Sequence, residues 1–326
     1  MSADITLAWV GTAHIHTPGF IDLASKRGVK SAGVWDHDAN RATKNAEKLC
    51  TQTRTVDELV ADPTVDGYVI CSETNLHVDL VAKLVKTDKP IFVEKPMGTD
   101  GANSKKILEL FQGSKSVFQT GYFMRGIPAI LTLKKQVEAG AFGQITRVRG
   151  SNCHSGALGG WFDGDWRWMA DRNQAGVGAY GDLGTHALDI LIWIFGEIAA
   201  VTATLGLGTA RYDGCEETGE AIILFKSGVI GTLTAGWDDI ANPYFMQVSG
   251  TKAFAAIDSD LEMAIDGKPL AKVMDVEAQV PSGFDAFLDY LEGKDVSLVK
   301  PEEAAERDRV MSAIYLASET RTWVSL

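Results

Sequence analysis

Residues 5–20 read ITLAWVGTAHIHTPGF: an apolar run that stops at Gly11 and gives way to a segment with Pro18 near its start. A strand that turns into a helix through a glycine offers backbone N–H groups and a helix dipole to an anion, which is how a pyrophosphate is held. Of the G-x-G-x-x-G pattern only the first glycine is present, because Ala13 and His16 stand at the second and third positions. Gly11 supplies the tight turn, and the Ala13 methyl still allows close phosphate approach. His16 must point away from the strand or contact the ligand. By itself the turn also fits an ordinary βα connection. His14 and His16 are metal-type donors, but no further His or Cys lies near them in sequence, and we expect no metal.

Around this turn the chain alternates short strands with helical patterns. ITLAWVG, VKSAGVWD, DGYVICS, KPIFVEKP and SVFQTGYF read as strands, with helices starting near His14, Ala39, Val56, Asn75 and Thr99. This is the grammar of a parallel sheet with crossover helices. A helix over residues 127–140 is expected to pack back on it. The second strand ends in Asp36, 25 residues after Gly11, where a carboxylate bonds the adenosine ribose. A carboxylate there repels a 2′-phosphate, and His37 follows it where NADP binders often place Arg or Ser. NAD is the expected cofactor, with NADP second. Arg41 reads as a solvated arginine on the helix surface.

From Gln144 the pattern changes. QITRVRGSNCHS alternates as a strand, a Gly- and Trp-rich loop runs from Gly156 to Gly181, and a helix covers Gly181 to Phe195. AVTATLGLG, GEAIILFKSGVIGTLTAGW and PYFMQVSGTKAFAAID follow, with turns at Ser227-Gly228 and Gly250-Thr251 that join antiparallel neighbours. Helices at Ser282–Leu291 and from Pro301 close the chain. The expected fold class is α/β: a Rossmann-type doubly wound parallel sheet over residues 1–122, then an α+β domain over 123–326 with an open, mainly antiparallel sheet for substrate binding and oligomerisation.

Composition narrows the partners. A net charge of −12 over 326 residues excludes nucleic acid and anionic membrane as main partners, since both select basic surfaces. No apolar run approaches the roughly 18 residues that cross a bilayer, and the first residues show no basic leader, so a cytoplasmic address is expected. Four cysteines without a C-x-x-C read as reduced thiols.

Two further stretches carry chemistry. In KPIFVEKPMG, Glu94-Lys95-Pro96 sets a lysine at the carboxyl end of a strand, the edge where open α/β sheets bind ligands, and Pro96 biases Lys95 toward an extended conformation. Beside a cationic nicotinamide that lysine would lose proton affinity; alone it is a strand-end lysine reaching water. In GDLGTHALDI, residues 181–190, helical geometry places Asp182, His186 and Asp189 within roughly a 60° arc. Ala187, Ile190, Leu191 and Ile194 form a separate apolar stripe. The same residues also fit an Asp182 helix cap and a satisfied core histidine.

Glu94-Lys95-Pro96 together with GDLGTHALD resembles the Gfo/Idh/MocA oxidoreductase family, and the likeness runs in order through most of the chain. It takes in the degraded glycine motif, Asp36, CSETNLH, GYFMRGIP and Trp166-Arg167. The resemblance implies a cofactor site of Gly11, Thr12, Ala13, His14, Ile15, His16, Asp36, His37, Ser72, Thr74, Asn75, His77, Glu94 and Lys95. Glu73 departs from the family's usual proline. It implies an NAD-dependent dehydrogenase of a cyclic polyol or sugar, with Lys95, His186 and Asp182 catalytic, and Arg125, His154, Trp166 and Arg167 beside them on the substrate. His186 or Lys95 is the base, and Asp189 fixes the helix or the histidine from behind. An interdomain salt bridge is the other role open to Arg125, and sugar stacking is open to Trp161, Trp166 and Trp168. An NADP(H)-dependent keto-sugar reductase, a ligand-sensing regulator and a redox-neutral NAD-using glycosidase remain alternatives. A homodimer or homotetramer is expected, because an open sheet leaves one face to cover.

Overall fold

The computed structural model describes residues 5–326; residues 1–4, where the reading for a leader begins, lie outside the described residues. In chain order the first elements are β1 (Thr6–Thr12), α1 (Thr17–Lys26), β2 (Lys30–Trp35), α2 (Ala39–Lys48), α3 (Val56–Ala61), β3 (Gly67–Cys71), α4 (His77–Leu84), β4 (Ile91–Val93), α5 (Gly101–Gln112) and β5 (Phe118–Thr120). Then come α6 (Pro128–Glu138), β6 (Ile145–Cys153), α7 (Arg172–Ala175), α8 (Ala179–Phe195), β7 (Ile198–Gly206), β8 (Thr218–Phe225), β9 (Ile230–Gly236), β10 (Met246–Gly250), β11 (Ala253–Ile257), β12 (Leu261–Ile265), β13 (Ala271–Lys272), α9 (Gly283–Leu291), α10 (Pro301–Thr320) and β14 (Val324–Ser325). They form two compact units. The first takes residues up to Tyr122, Asp163–Gly176 and Pro281–Asp308; the second takes Phe123–Phe162, Val177–Val280 and Arg309–Leu326.

The first unit is a parallel sheet of order β2-β1-β3-β4-β5. β1, β3, β4 and β5 are almost wholly buried, as crossover helices on both faces require, while the edge strand β2 is only partly so, and alternate residues feed two cores. Ala8, Val10, Tyr68, Ile70, Ile91 and Val93 join one; Leu7, Trp9, Val69 and Phe92 join the other, where α9 adds Phe284, Phe287 and Leu288. Each such fully buried side chain contributes about 1.5–3 kcal/mol. Local signals start the helices: Asp38 accepts the Asn40 and Arg41 N–H groups ahead of α2, Thr55 and Glu58 form a capping box on α3, and Asp100 accepts Asn103 N–H ahead of α5.

The second unit is a nine-stranded sheet of order β13-β12-β11-β10-β6-β9-β8-β7-β14. β6 and β9 pair parallel, and the other described pairs run antiparallel. α8 lies on its centre and is buried at every residue from Ala179 to Ile192. A Cβ added at Gly150 of β6 would stand 3.1 Å from Leu191 Cδ1, so glycine sets how closely the helix approaches. β8 alternates cleanly, with Ala221, Ile223 and Phe225 inward and Ile222 and Leu224 outward.

Candidate functional site

In the first unit the turn after β1 is tightly held. Gly11 has φ +92°, and an added Cβ would stand 2.4 Å from Ser72 Cβ, so both the conformation and the close approach demand glycine. His14 N–H donates to Cys71 O at 2.9 Å. The helix expected near His14 starts at Thr17 with Pro18 in its first turn, leaving Ala13 to His16 as a connecting turn. Thr12, Ala13, His14 and Thr17 line a cavity of about 400 Å³ together with Arg41 and Lys44. Backbone donors beside cationic side chains suit a dinucleotide's phosphates.

Asp36 directly follows β2, and its carboxylate is already saturated. Oδ2 accepts from Thr12 N–H (2.8 Å), Thr12 Oγ1 (2.9 Å) and Arg41 Nε (2.9 Å); Oδ1 accepts from Asp38 N–H (3.0 Å) and Arg41 Nη2 (2.7 Å). Burial opposes ionisation of Asp36, but the Arg41 pairing and the N–H bonds outweigh it and hold its carboxyl below the usual range. Arg41 is therefore not the solvated arginine of the sequence reading. It also donates to Glu73 Oε1 at 2.7 Å, and His37 Nδ1 lies 3.2 Å from Glu73 Oε2. The departure at Glu73 thus ties Arg41 and the His37 ring to the loop after β3.

The neighbouring predicted residues divide by exposure. Ser72, Thr74 and His77 are buried, whereas Asn75 is exposed. His77 places Nδ1 3.0 Å from Met97 O and Nε2 3.3 Å from Ser72 O. Both ring nitrogens face carbonyls, so His77 clamps the turn after β3 to the segment after β4; burial lowers its pKa. Glu94 is wholly buried and Lys95 is 2% exposed, one and two residues past β4. A Cβ added at Gly121 would lie 2.4 Å from Glu94 Oε2, so glycine there gives the carboxylate room. His16, at the third glycine position, turns to Glu94: its Nδ1 is 2.8 Å from Oε1. One donor atom each of His14, His16 and Glu94 lies within 4.8 Å of the others.

The aromatic loop divides between the two units, Trp161 in the second and Trp166 and Trp168 in the first. Trp168 is buried and donates Nε1–H to Ala13 O at 3.1 Å, which anchors residues 163–176 on the turn after β1. Trp166 lines the cavity with Thr12, and Arg167 donates to Ala170 O at 3.0 Å. In the second unit Trp161 is 47% exposed and lies 4.8 Å, centroid to centroid, from the His154 ring. His154 Nδ1 accepts the Gly156 N–H at 2.9 Å.

The trio on α8 sits wholly in the second unit, and its two carboxylates have different partners. Asp182 Oδ2 accepts Trp237 Nε1–H at 3.1 Å; the Trp237 ring stacks on Phe162 at 3.9 Å. Asp189 takes a two-pronged bond from Arg125, Nε to Oδ2 at 2.9 Å and Nη2 to Oδ1 at 2.6 Å, and the same guanidinium lies 5.3 Å from the Trp193 ring. Between them His186 is 4% exposed and meets the Phe123 ring edge-on at 5.1 Å. Asp182 does not cap the helix. Glu216 does, its Oε1 accepting from Gly178 N–H (3.0 Å), Tyr180 N–H (3.2 Å) and the Tyr315 hydroxyl, which puts a carboxylate on the helix's positive end. Next to it Glu217 gathers N–H groups of Thr209, Ala210, Arg211 and Tyr212. Burial raises its pKa, but these bonds prevail and lower it. Sequence reading missed Trp237 and Glu216, because each acts on residues distant in the chain, and Glu217, whose partners lie five to eight residues back in an irregular loop with no periodic signal.

The model of an oxidoreductase family with an NAD-binding Rossmann fold matches residues 5–122, and that of the GFO/IDH/MocA C-terminal domain matches residues 130–256. The chain belongs to the Gfo/Idh/MocA oxidoreductase family. Among curated Gfo/Idh/MocA-like relatives, the levoglucosan dehydrogenase of Pseudarthrobacter phenanthrenivorans is 28% identical over 50% of this chain and 42% of its own. The myo-inositol 2-dehydrogenase of Thermotoga maritima is 27% identical over 70% of this chain and 66% of its own. The matched part thus spans between about two-fifths and two-thirds of those relatives. A levoglucosan dehydrogenase in complex with NADH and levoglucosan superposes with a TM-score of 0.83 at 19% identity, over 98% of this chain and 99% of that one, which shows the shared Gfo/Idh/MocA fold.

Proposed function

We propose that this protein is an NAD-dependent dehydrogenase that oxidises a secondary alcohol of a cyclic polyol or sugar. The observation that carries the reading is the set Asp182, His186 and Asp189 on a helix buried along its length. Polar groups there cost stability unless they are hydrogen-bonded or paired, and Trp237 and Arg125 supply those bonds to the two carboxylates and hold them in place. NAD, when bound, supplies the hydride acceptor. His186 accepts the hydroxyl proton of the substrate, Asp182 bonds a neighbouring hydroxyl or sets the imidazole, and Lys95 polarises the reacting oxygen or shares the proton. Asp189, paired with Arg125, keeps the helix in register. The substrate class follows the relatives, which are named for inositol and an anhydrosugar. Outward-facing Ile222, Leu224 and Ile230, 38–51% exposed on neighbouring strands, support burial of that sheet face in a homo-oligomer.

The test is steady-state NADH production with inositols, anhydrosugars and aldoses, using wild type beside Lys95→Ala and His186→Ala. Each variant is expected to lose about 10²–10⁴ in turnover. Turnover unchanged in both would overturn the assignment.

A further inference from the structure

We propose that His14, His16 and Glu94 form a site for a zinc-type divalent ion, and that an ion held there excludes the cofactor. The donors come from the turn after β1 and from the residue after β4. His16 Nδ1 is 2.8 Å and His14 Nδ1 3.6 Å from one oxygen, Glu94 Oε1. Tetrahedral zinc with bonds of about 2.0–2.1 Å sets its ligand atoms about 3.3 Å apart, between those two separations.

The geometry of the donors suits a cation at this point. His14 Nδ1 accepts the His16 backbone N–H at a long 3.2 Å, so it carries a lone pair and no proton. It therefore stands 3.6 Å from Glu94 Oε1 as one acceptor beside another. Glu94 is wholly buried, and its Oε2 has no hydrogen-bond partner among the described residues. Such a carboxylate is retained where a cation compensates it. A dication takes the His14 and Glu94 lone pairs together, with His16 as third ligand once its Nδ1 carries no proton. Two imidazoles and one carboxylate select zinc, cobalt or nickel over magnesium or calcium, which want oxygen ligands throughout. His14 lines the open cavity and the His16 side chain is 32% exposed, so the ion has an entry path and room for a water as fourth ligand. Exclusion of NAD rests on the reading that these three residues line the cofactor site.

Calorimetry of the full chain with zinc chloride, after chelator treatment and without NAD, tests the site alone. One equivalent is expected to bind at micromolar affinity or tighter, weakened about 100-fold or more in His16→Gln and Glu94→Gln and unchanged in Cys50→Ser, which removes an exposed thiol. Cobalt should give the visible absorption of a tetrahedral centre in wild type and lose it in His16→Gln, a partly exposed position that tolerates the change. No stoichiometric binding, or binding indifferent to His16→Gln, overturns the site. NAD titration in the presence of zinc then tests exclusion: zinc at about ten times its dissociation constant should weaken NAD about tenfold. Zinc bound through these residues with NAD affinity unmoved overturns the exclusion, and with it their place in the cofactor site, while leaving the metal site intact.

Discussion

Asp182 and Asp189 look equivalent in the string GDLGTHALDI, and their partners separate them. The Trp237 N–H fixes Asp182 beside the proposed base. Trp237→Phe keeps the ring that stacks on Phe162 and deletes only the donor. A hydrogen bond to a charged group contributes about 1.5–3 kcal/mol, so we expect kcat to fall about 10- to 100-fold with a displaced pH–rate profile; a change in melting temperature alone would reduce Trp237 to a packing role. Asp36 gives a second test. Asp36→Ala removes the proposed ribose acceptor and releases Arg41, so NAD affinity should fall about 10- to 100-fold by the same arithmetic while NADP affinity falls less. Equal losses for both cofactors would show that Asp36 only braces Thr12. His16 and Glu94 illustrate what sequence conceals: the two lie 78 positions apart, so no local search for a third donor to the histidine pair could find the carboxylate.

The helices of the first unit were legible wherever their signals are local. Asp38, the Thr55–Glu58 box and Asp100 each stand within three residues of the N–H groups they satisfy. α8 starts at Ala179 instead of Gly181 because its cap comes from Glu216, beyond an intervening strand. β12, β13 and β14 were not read as strands; β13 and β14 span two residues each, too short for an alternation to register. Another remote contact carries a pH prediction. Asp308 of α10 accepts from Gly98 N–H at 3.0 Å and from the Ser104 hydroxyl, and burial outweighs these bonds and pushes its pKa up to about 7. The folded chain keeps that proton where the unfolded chain has lost it, so Asp308 lowers stability progressively as pH rises from about 4 to about 7, with no further loss above. Asp308→Asn should flatten this part of the profile in urea unfolding; an unchanged slope would place the carboxyl's titration elsewhere.

Both sheet types were legible from strand periodicity: buried parallel runs in the first unit, inside-outside alternation and antiparallel neighbours in the second, although the connection expected as a two-residue turn at Ser227-Gly228 takes residues 226–229 and the other takes residues 251–252. What a linear reading could not assign is the membership of Asp163–Gly176 and Pro281–Asp308 in the first unit. An amphipathic pattern such as Phe284, Phe287 and Leu288 says that one face is buried, not which core receives it. The outward Ile222 and Leu224 of β8 lead to a further expectation: light scattering should report a dimer or tetramer, and Ile222→Glu with Leu224→Lys should shift it toward monomer. A monomeric wild type would leave that face for another purpose. For the molecule as an enzyme, the deciding readout is NADH absorbance when wild-type protein and NAD meet inositols and anhydrosugars, with NAD binding checked by calorimetry in the same buffer. We predict NADH from at least one cyclic polyol or sugar, and its loss in His186→Ala. NAD bound with no NADH formed from any of them would contradict the dehydrogenase account and leave the buried trio on α8 to a ligand-sensing or redox-neutral role.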